Sequence, residues 1–132
     1  MGNRAVIKFE NYKAGIYLHQ HGGRGTIECF LEVAKEYGID GNSGDYTMAR
    51  LVQIISNYIG GTLSIGISVE PALHVDQGDN GVYVVDDNLE IVDRYWNWEH
   101  EQLLHRSEAE RLKADIRAVN DQFFTGANLY GG

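Results

Sequence analysis

The chain has 132 residues, a single cysteine and a formal net charge of −8. That length suits one domain with a core of its own, and a lone Cys29 excludes an internal disulfide and any metal site built from several thiolates. The charge disfavours direct binding of nucleic acid, which needs a basic face to neutralise phosphates.

The acidity is uneven. Residues 61–96 carry Glu70, Asp76, Asp79, Asp86, Asp87, Glu90 and Asp93 against Arg94 alone, a net of −6, whereas residues 1–60 balance six acids with six bases. A basic partner surface complements such a segment. The N-terminus MGNRAVIKF lacks the apolar run of a signal peptide, and no stretch approaches the roughly 18 apolar residues of a membrane span. These features, with the cysteine usage, lead to the expectation of a protein of the bacterial cytoplasm.

In chain order, Arg4–Phe9 and Gly15–His19 read as the two strands of a hairpin around a polar turn at Glu10–Lys13. A helix is predicted from Gly25 or Thr26 to about Tyr37, because Ile27, Phe30, Leu31 and Ala34 recur at i, i+3, i+4 and i+7. Gly38 suits its C-terminal cap. After the loop DGNSGD, Asp45 or Thr47 can cap a second helix. This helix places Met48, Leu51, Val52, Ile55, Tyr58 and Ile59 on one face and stops at Gly60-Gly61. Thr62–Val69 is a β-branched strand whose Gly66 suggests a bulge or a close backbone approach. Pro71–Gly81 reads as a long loop, Val82–Val85 and Leu89–Val92 as a second hairpin that continues towards Trp96, and Trp98–Phe124 as a third helix. The tail 125–132 reads as loose.

The order β-β-α-α-β-β-β-α predicts an α+β fold. We expect an antiparallel sheet of about five strands, two hairpins plus a central strand, with two helices on one face. Residues 1–96 would form the core of the single domain 1–132. The third helix, the most charged, would pack as an arm against the domain or form a homodimer contact.

Four stretches could carry chemistry. Tyr17-Leu18-His19-Gln20-His21 places two imidazoles on one side if the strand persists, because strand side chains have period two. With an aspartate, they could serve a small metal-dependent hydrolase, although no known metal spacing supports a site. Gly22-Gly23-Arg24-Gly25 leads into a helix N-terminus, where backbone N–H groups and the helix dipole favour an anion and Arg24 offers a fork for phosphate. The run Asp76–Gly81 matches a calcium loop poorly and reads as a turn. Trp96 and Trp98 would share a strand face and expose an aromatic patch. No nucleophile stands out, since Cys29 lies among apolar helix positions without a basic activator. No metal and no cofactor are expected.

Asn3-Arg4-Ala5-Val6-Ile7, Ile16-Tyr17-Leu18-His19 with Gly22-Gly23, Ala49–Gln53 running into Gly60–Gly66, and Asp79-Asn80-Gly81-Val82-Tyr83 together resemble a family of small uncharacterised proteins of bacteriophages, prophages and other mobile elements. The resemblance covers roughly residues 3–95. It implies an accessory factor acting on host machinery, by analogy an anti-CRISPR or other anti-defence inhibitor. The leading expectation is therefore a small acidic protein that binds a basic surface of a host defence protein through Asp76, Asp79, Asp86, Asp87, Glu90, Asp93, Trp96 and Trp98. The alternative is a small-molecule or nucleotide binder that sequesters a signal, with Tyr17, His19, His21, Gly22, Gly23 and Arg24 around the ligand.

Overall fold

The computed structural model describes residues 3–40, 45–69, 78–96 and 101–124. Five strands, β1 (Ala5–Phe9), β2 (Ala14–Leu18), β3 (Ile65–Val69), β4 (Val82–Val85) and β5 (Ile91–Tyr95), combine with helices α1 (Arg24–Glu36), α2 (Asp45–Ile59) and α3 (Arg106–Phe124). The α+β fold and the five-stranded sheet match the expectation. The order is β3-β2-β1-β4-β5, with one departure from antiparallel pairing: β1 and β4 run parallel, Val6 opposite Val82 and Phe9 opposite Val85. The strand expected at the centre, β3, is an edge, and β1 takes the centre. Alternation alone cannot order strands that do not follow one another in the chain.

The register explains the layers. Ala5, Ile7 and Phe9 of β1 align with Ile16 and Leu18 of β2 and with Tyr83 and Val85 of β4. All are buried in one cluster with Ile27, Phe30, Leu31, Ala34, Leu51 and Ile55 of α1 and α2. The other sheet face holds a smaller cluster of Val6, Val82 and Val84 flanked by Tyr17 and Tyr95. Apolar positions of both periods are thus covered, as in any packed α+β layer.

Local chemistry sets the element ends. Past α1, Gly38 has φ +83 and donates to Lys35 O, while Ile39 donates to Ala34 O; this Schellman pairing uses the residue without a Cβ penalty. Helix α2 begins at Asp45, and the Thr47 hydroxyl donates to the Asp40 carbonyl instead of capping the helix. Gly66 sits opposite Tyr17 in a regular ladder, so neither a bulge nor a close backbone approach accounts for it. The bulge lies elsewhere: Val84 pairs with Asp93 and Val85 with Ile91, which leaves Val92 as the extra residue. Strand β5 ends at Tyr95, and Trp96 follows with φ +61, so the strand does not persist to carry two tryptophans on one face; Trp98 lies outside the described residues.

The third helix starts at Arg106, several residues later than its periodicity suggests. The His105 backbone N–H donates to Glu108 Oε1 at 3.1 Å, the returning half of a capping box, and Glu101–His105 precedes the helix as non-helical chain. Helix α3 takes the first of its two expected placements, against the domain. It packs on α1 and α2 with Ile116 and Asn120 fully buried. Asn120 Nδ2 donates to Ile54 O and Ile116 O, and its Oδ1 accepts from Asn57 Nδ2 at 2.8 Å. Around this amide, Lys113 pairs with Glu32 and Arg117 with Glu36, and the Tyr37 hydroxyl donates to Asp121 Oδ1 at 2.6 Å. The paired charges on α1 and α3 therefore fix the register between the two helices.

Removing the Asn120 side chain leaves the Asn57 amide without its acceptor at a buried seam, which costs about 1–3 kcal/mol. Asn120→Ala should lower the unfolding free energy by that amount, seen as a lower chemical-denaturation midpoint at an unchanged m-value. An unshifted midpoint would show that the Asn120 network does not hold α3 to the domain.

Candidate functional site

Parallel pairing of β1 with β4 puts the starts of both strands, the end of β5 and the start of α1 at one end of the sheet. Polar side chains interlock there. The Arg4 backbone N–H and Nε both donate to Asp79 Oδ2, at 2.9 and 3.0 Å. These two bonds, the backbone one first, hold the Asp79 carboxyl below the usual carboxylate range. Asn80 Nδ2 donates to Asn3 Oδ1 and Arg4 O. The buried Tyr83 hydroxyl donates to Gly22 O at 2.6 Å, and burial pushes that phenol up to about 12.

The Gly22–Gly25 turn is engaged by its own chain. Gly22 N donates to Asn3 O and Gly25 N to Gln102 O, both at 2.8 Å. A Cβ on Gly25 would lie 2.7 Å from Leu104 N, so this glycine lets the 101–105 segment lie against the start of α1. Those two amides are thus not open to a phosphate. Arg24 Nε bonds Glu28 Oε2 at 3.2 Å, and its Nη1 lies 3.4 Å from Glu101 Oε2.

Arg94 approaches the same carboxylate from β5. It pairs with Tyr83 across the ladder and so points to the helical side. Its guanidinium carbon lies 4.2 Å from the Tyr83 ring centroid, Nη2 donates to Asn80 O at 2.7 Å and Nη1 pairs with Glu101. The Arg94 side chain is 9% exposed. Among the described residues its Nε, and also Asn80 Oδ1, have no hydrogen-bond partner. A buried donor left unpaired costs about 1–3 kcal/mol. Beside it, Arg24, Ile91, Val92, Asp93, Arg94 and Glu101 line an open cleft of about 240 Å³. Sequence reasoning did not single out Arg94 or Glu101 as site residues, and it used Asn80 and Tyr83 only within the Asp79–Tyr83 run that carries the resemblance. The signal for Arg94 was its standing as the lone base in an acidic segment.

The other sequence-predicted residues separate. Tyr17 and His19 come together, hydroxyl to Nδ1 at 3.0 Å. Tyr17 lies with the valines on the sheet face away from the helices. His21 lies past the strand with φ +68 and packs edge-on to Tyr58. The two imidazoles therefore do not form the pair on a strand that period two suggested, and Tyr17 and His19 do not share the cleft of Arg24. Among the described residues no three His, Cys, Asp or Glu side chains group as metal ligands. Cys29 is buried, and burial, with Glu32 nearby, pushes its thiol up to about 11.

The acidic set divides. Asp79 is committed to Arg4 and Glu90 pairs with Lys35. Asp86 Oδ1 accepts from Asn88 N and Glu90 N in the β4–β5 turn, and Asp93 Oδ1 accepts from the Arg94 backbone N–H. Asp87 is exposed. Asp76 lies outside the described residues. No helix among the described residues is long and apolar enough to cross a membrane. No protein-family model, curated protein or solved structure matches the chain.

A depressed folded-state carboxyl contributes stability above the unfolded value of about 3.9, and that contribution is lost as pH falls through the folded value. Asp79→Asn should therefore be less stable than the parent chain near neutrality, and the difference should shrink as pH falls below about 4. Denaturation midpoints measured from pH 7 down to pH 3 check this. A difference that stays constant with pH would mean that the Arg4–Asp79 contact is not electrostatic.

Proposed function

We propose that the chain acts by binding, and that its β4–β5 hairpin engages a basic surface on a partner protein. The observation that carries this reading is the sorting of charge. Among the described residues, Asp86, Asp87 and Asp93 stand in no ion pair with a base, while the one base of their segment, Arg94, is turned inward and held by Glu101. The hairpin thus presents uncompensated negative charge in its turn, at Asp86 and Asp87, and on its outer strand, at Asp93. Val92 at 48% and Trp96 at 37% exposure stand beside it. Charge of this kind steers association and sets orientation, and an exposed aromatic residue next to it supplies the apolar anchor typical of interface hot spots. In the phage-type setting that the sequence resemblance implies, the partner would be a host defence protein with a nucleic-acid-binding face.

Asp79 and Glu90 support this surface without belonging to it, because their charges are matched within the fold. The test is a triple variant, Asp86→Asn, Asp87→Asn and Asp93→Asn, immobilised alongside the parent chain and exposed to bacterial lysate at low and high salt. The parent should retain a basic protein that high salt releases and that the variant does not retain. Retention by the variant at the parent's level would defeat the reading.

A further inference from the structure

We propose that the cleft between the start of α1 and the end of β5 is a phosphate site, in which the Glu101 carboxylate holds the position of a ligand's phosphate group. This site adjoins the acidic hairpin surface, since Val92 and Asp93 line the cleft as well. Two guanidinium groups from elements far apart in sequence, Arg24 on α1 and Arg94 on β5, converge on one carboxylate. Such convergence is how proteins grip oxyanions, since each fork offers paired donors at fixed geometry. The second observation is the buried Arg94 side chain, whose Nε remains without a partner among the described residues although Nη1 and Nη2 are both engaged. That burial fixes Nη1 towards Glu101, the position that a tetrahedral anion would take.

Charge and size narrow the ligand. Glu101, Glu28 and Asp93 face the Arg24–Arg94 pair, three carboxylates against two guanidinium groups, so the cluster becomes neutral when Glu101 turns away. A phosphate monoester brings about two negative charges where Glu101 brings one. Helix α1 has no acid in its first turn, so the positive end of its dipole adds to the attraction although the Gln102 carbonyl occupies its Gly25 amide. Glu101 is 40% exposed, so its carboxylate can turn to water and yield the place. The volume of about 240 Å³ falls below the roughly 300–1,000 Å³ of pockets that enclose whole drug-sized ligands. It fits the phosphate group of a small phosphorylated molecule, with the rest of that molecule outside, or free phosphate.

The experiment titrates inorganic phosphate, methyl phosphate and acetate, at constant ionic strength, into the parent chain and into Glu101→Gln, followed by calorimetry and by the Arg94 Nε–H resonance. Glu101→Gln removes the competing carboxylate and should bind phosphate at least tenfold more tightly than the parent, with a shift of the Arg94 resonance. Adding Arg24→Gln should cost at least tenfold. Methyl phosphate binding as well as or better than phosphate assigns the site to monoesters, and the reverse assigns it to the free ion. Glu28→Gln is the control, since it removes a negative charge beside Arg24 but away from Arg94. An equal gain from Glu28→Gln would overturn the site in favour of a general charge effect. No gain in Glu101→Gln, acetate binding as tightly as phosphate, or an unmoved Arg94 resonance would overturn it as well.

Discussion

Strand β1 is the constraint on which the rest of the molecule depends. It is hydrogen-bonded on both sides, antiparallel to β2 and parallel to β4, and it is buried on both faces: Ala5 and Ile7 towards the helices, Val6 away from them. A strand covered on every side has little freedom to slip, because a one-residue shift would exchange its two apolar sets between differently shaped clusters. The β1–β2 hairpin follows from a short turn. The β4–β5 hairpin is attached on the other side by its pairing with β1, together with the Arg4–Asp79, Lys35–Glu90 and Arg94–Glu101 contacts.

Parallel pairing also decides where polar groups meet. It sets the start of β4 beside the start of β1, which is why Asp79 reaches Arg4 and Asn80 reaches Asn3. It carries the end of β5 to the same end of the sheet, where Arg94 lies over Tyr83 within reach of Glu101. Desolvating a guanidinium is costly unless hydrogen bonds and a counter-charge accompany it. Here the ring face, the Asn80 carbonyl and Glu101 do so, with Nε as the remainder. The acidic character of the chain is therefore not one surface. Some carboxylates are internal counter-charges and others are left outside, and only the second group can act on a partner.

In the helical layer, the charges of α1 and α3 that read as solvated faces are matched to each other. Glu32 and Glu36 meet Lys113 and Arg117, around the buried amide of Asn120. Exposed pairs of this kind stabilise little individually. Their arrangement alongside the satisfied Asn120 network nevertheless distinguishes one docking of α3 from a slide by a helical turn.

Local signals were sufficient for the elements. The period of Ile27, Phe30, Leu31 and Ala34, the glycines after each of the first two helices and the β-branched runs are properties of neighbours in the chain, so helix and strand identity, the first hairpin and the α+β class were legible in the sequence alone. The burial of Cys29 was legible for the same reason, since it sits among apolar positions of one helix. What the sequence could not contain was any relation between distant segments. The parallel β1–β4 contact, the edge position of β3, the docking of α3 and the meeting of Arg24, Arg94 and Glu101 all depend on which surfaces bury each other. Composition weighs every carboxylate alike, and only tertiary structure decided that Asp79 and Glu101 face arginines while Asp86, Asp87 and Asp93 keep their charge for solvent. The physical reason is that burial and pairing energies are set by three-dimensional neighbours, of which sequence order specifies only the nearest.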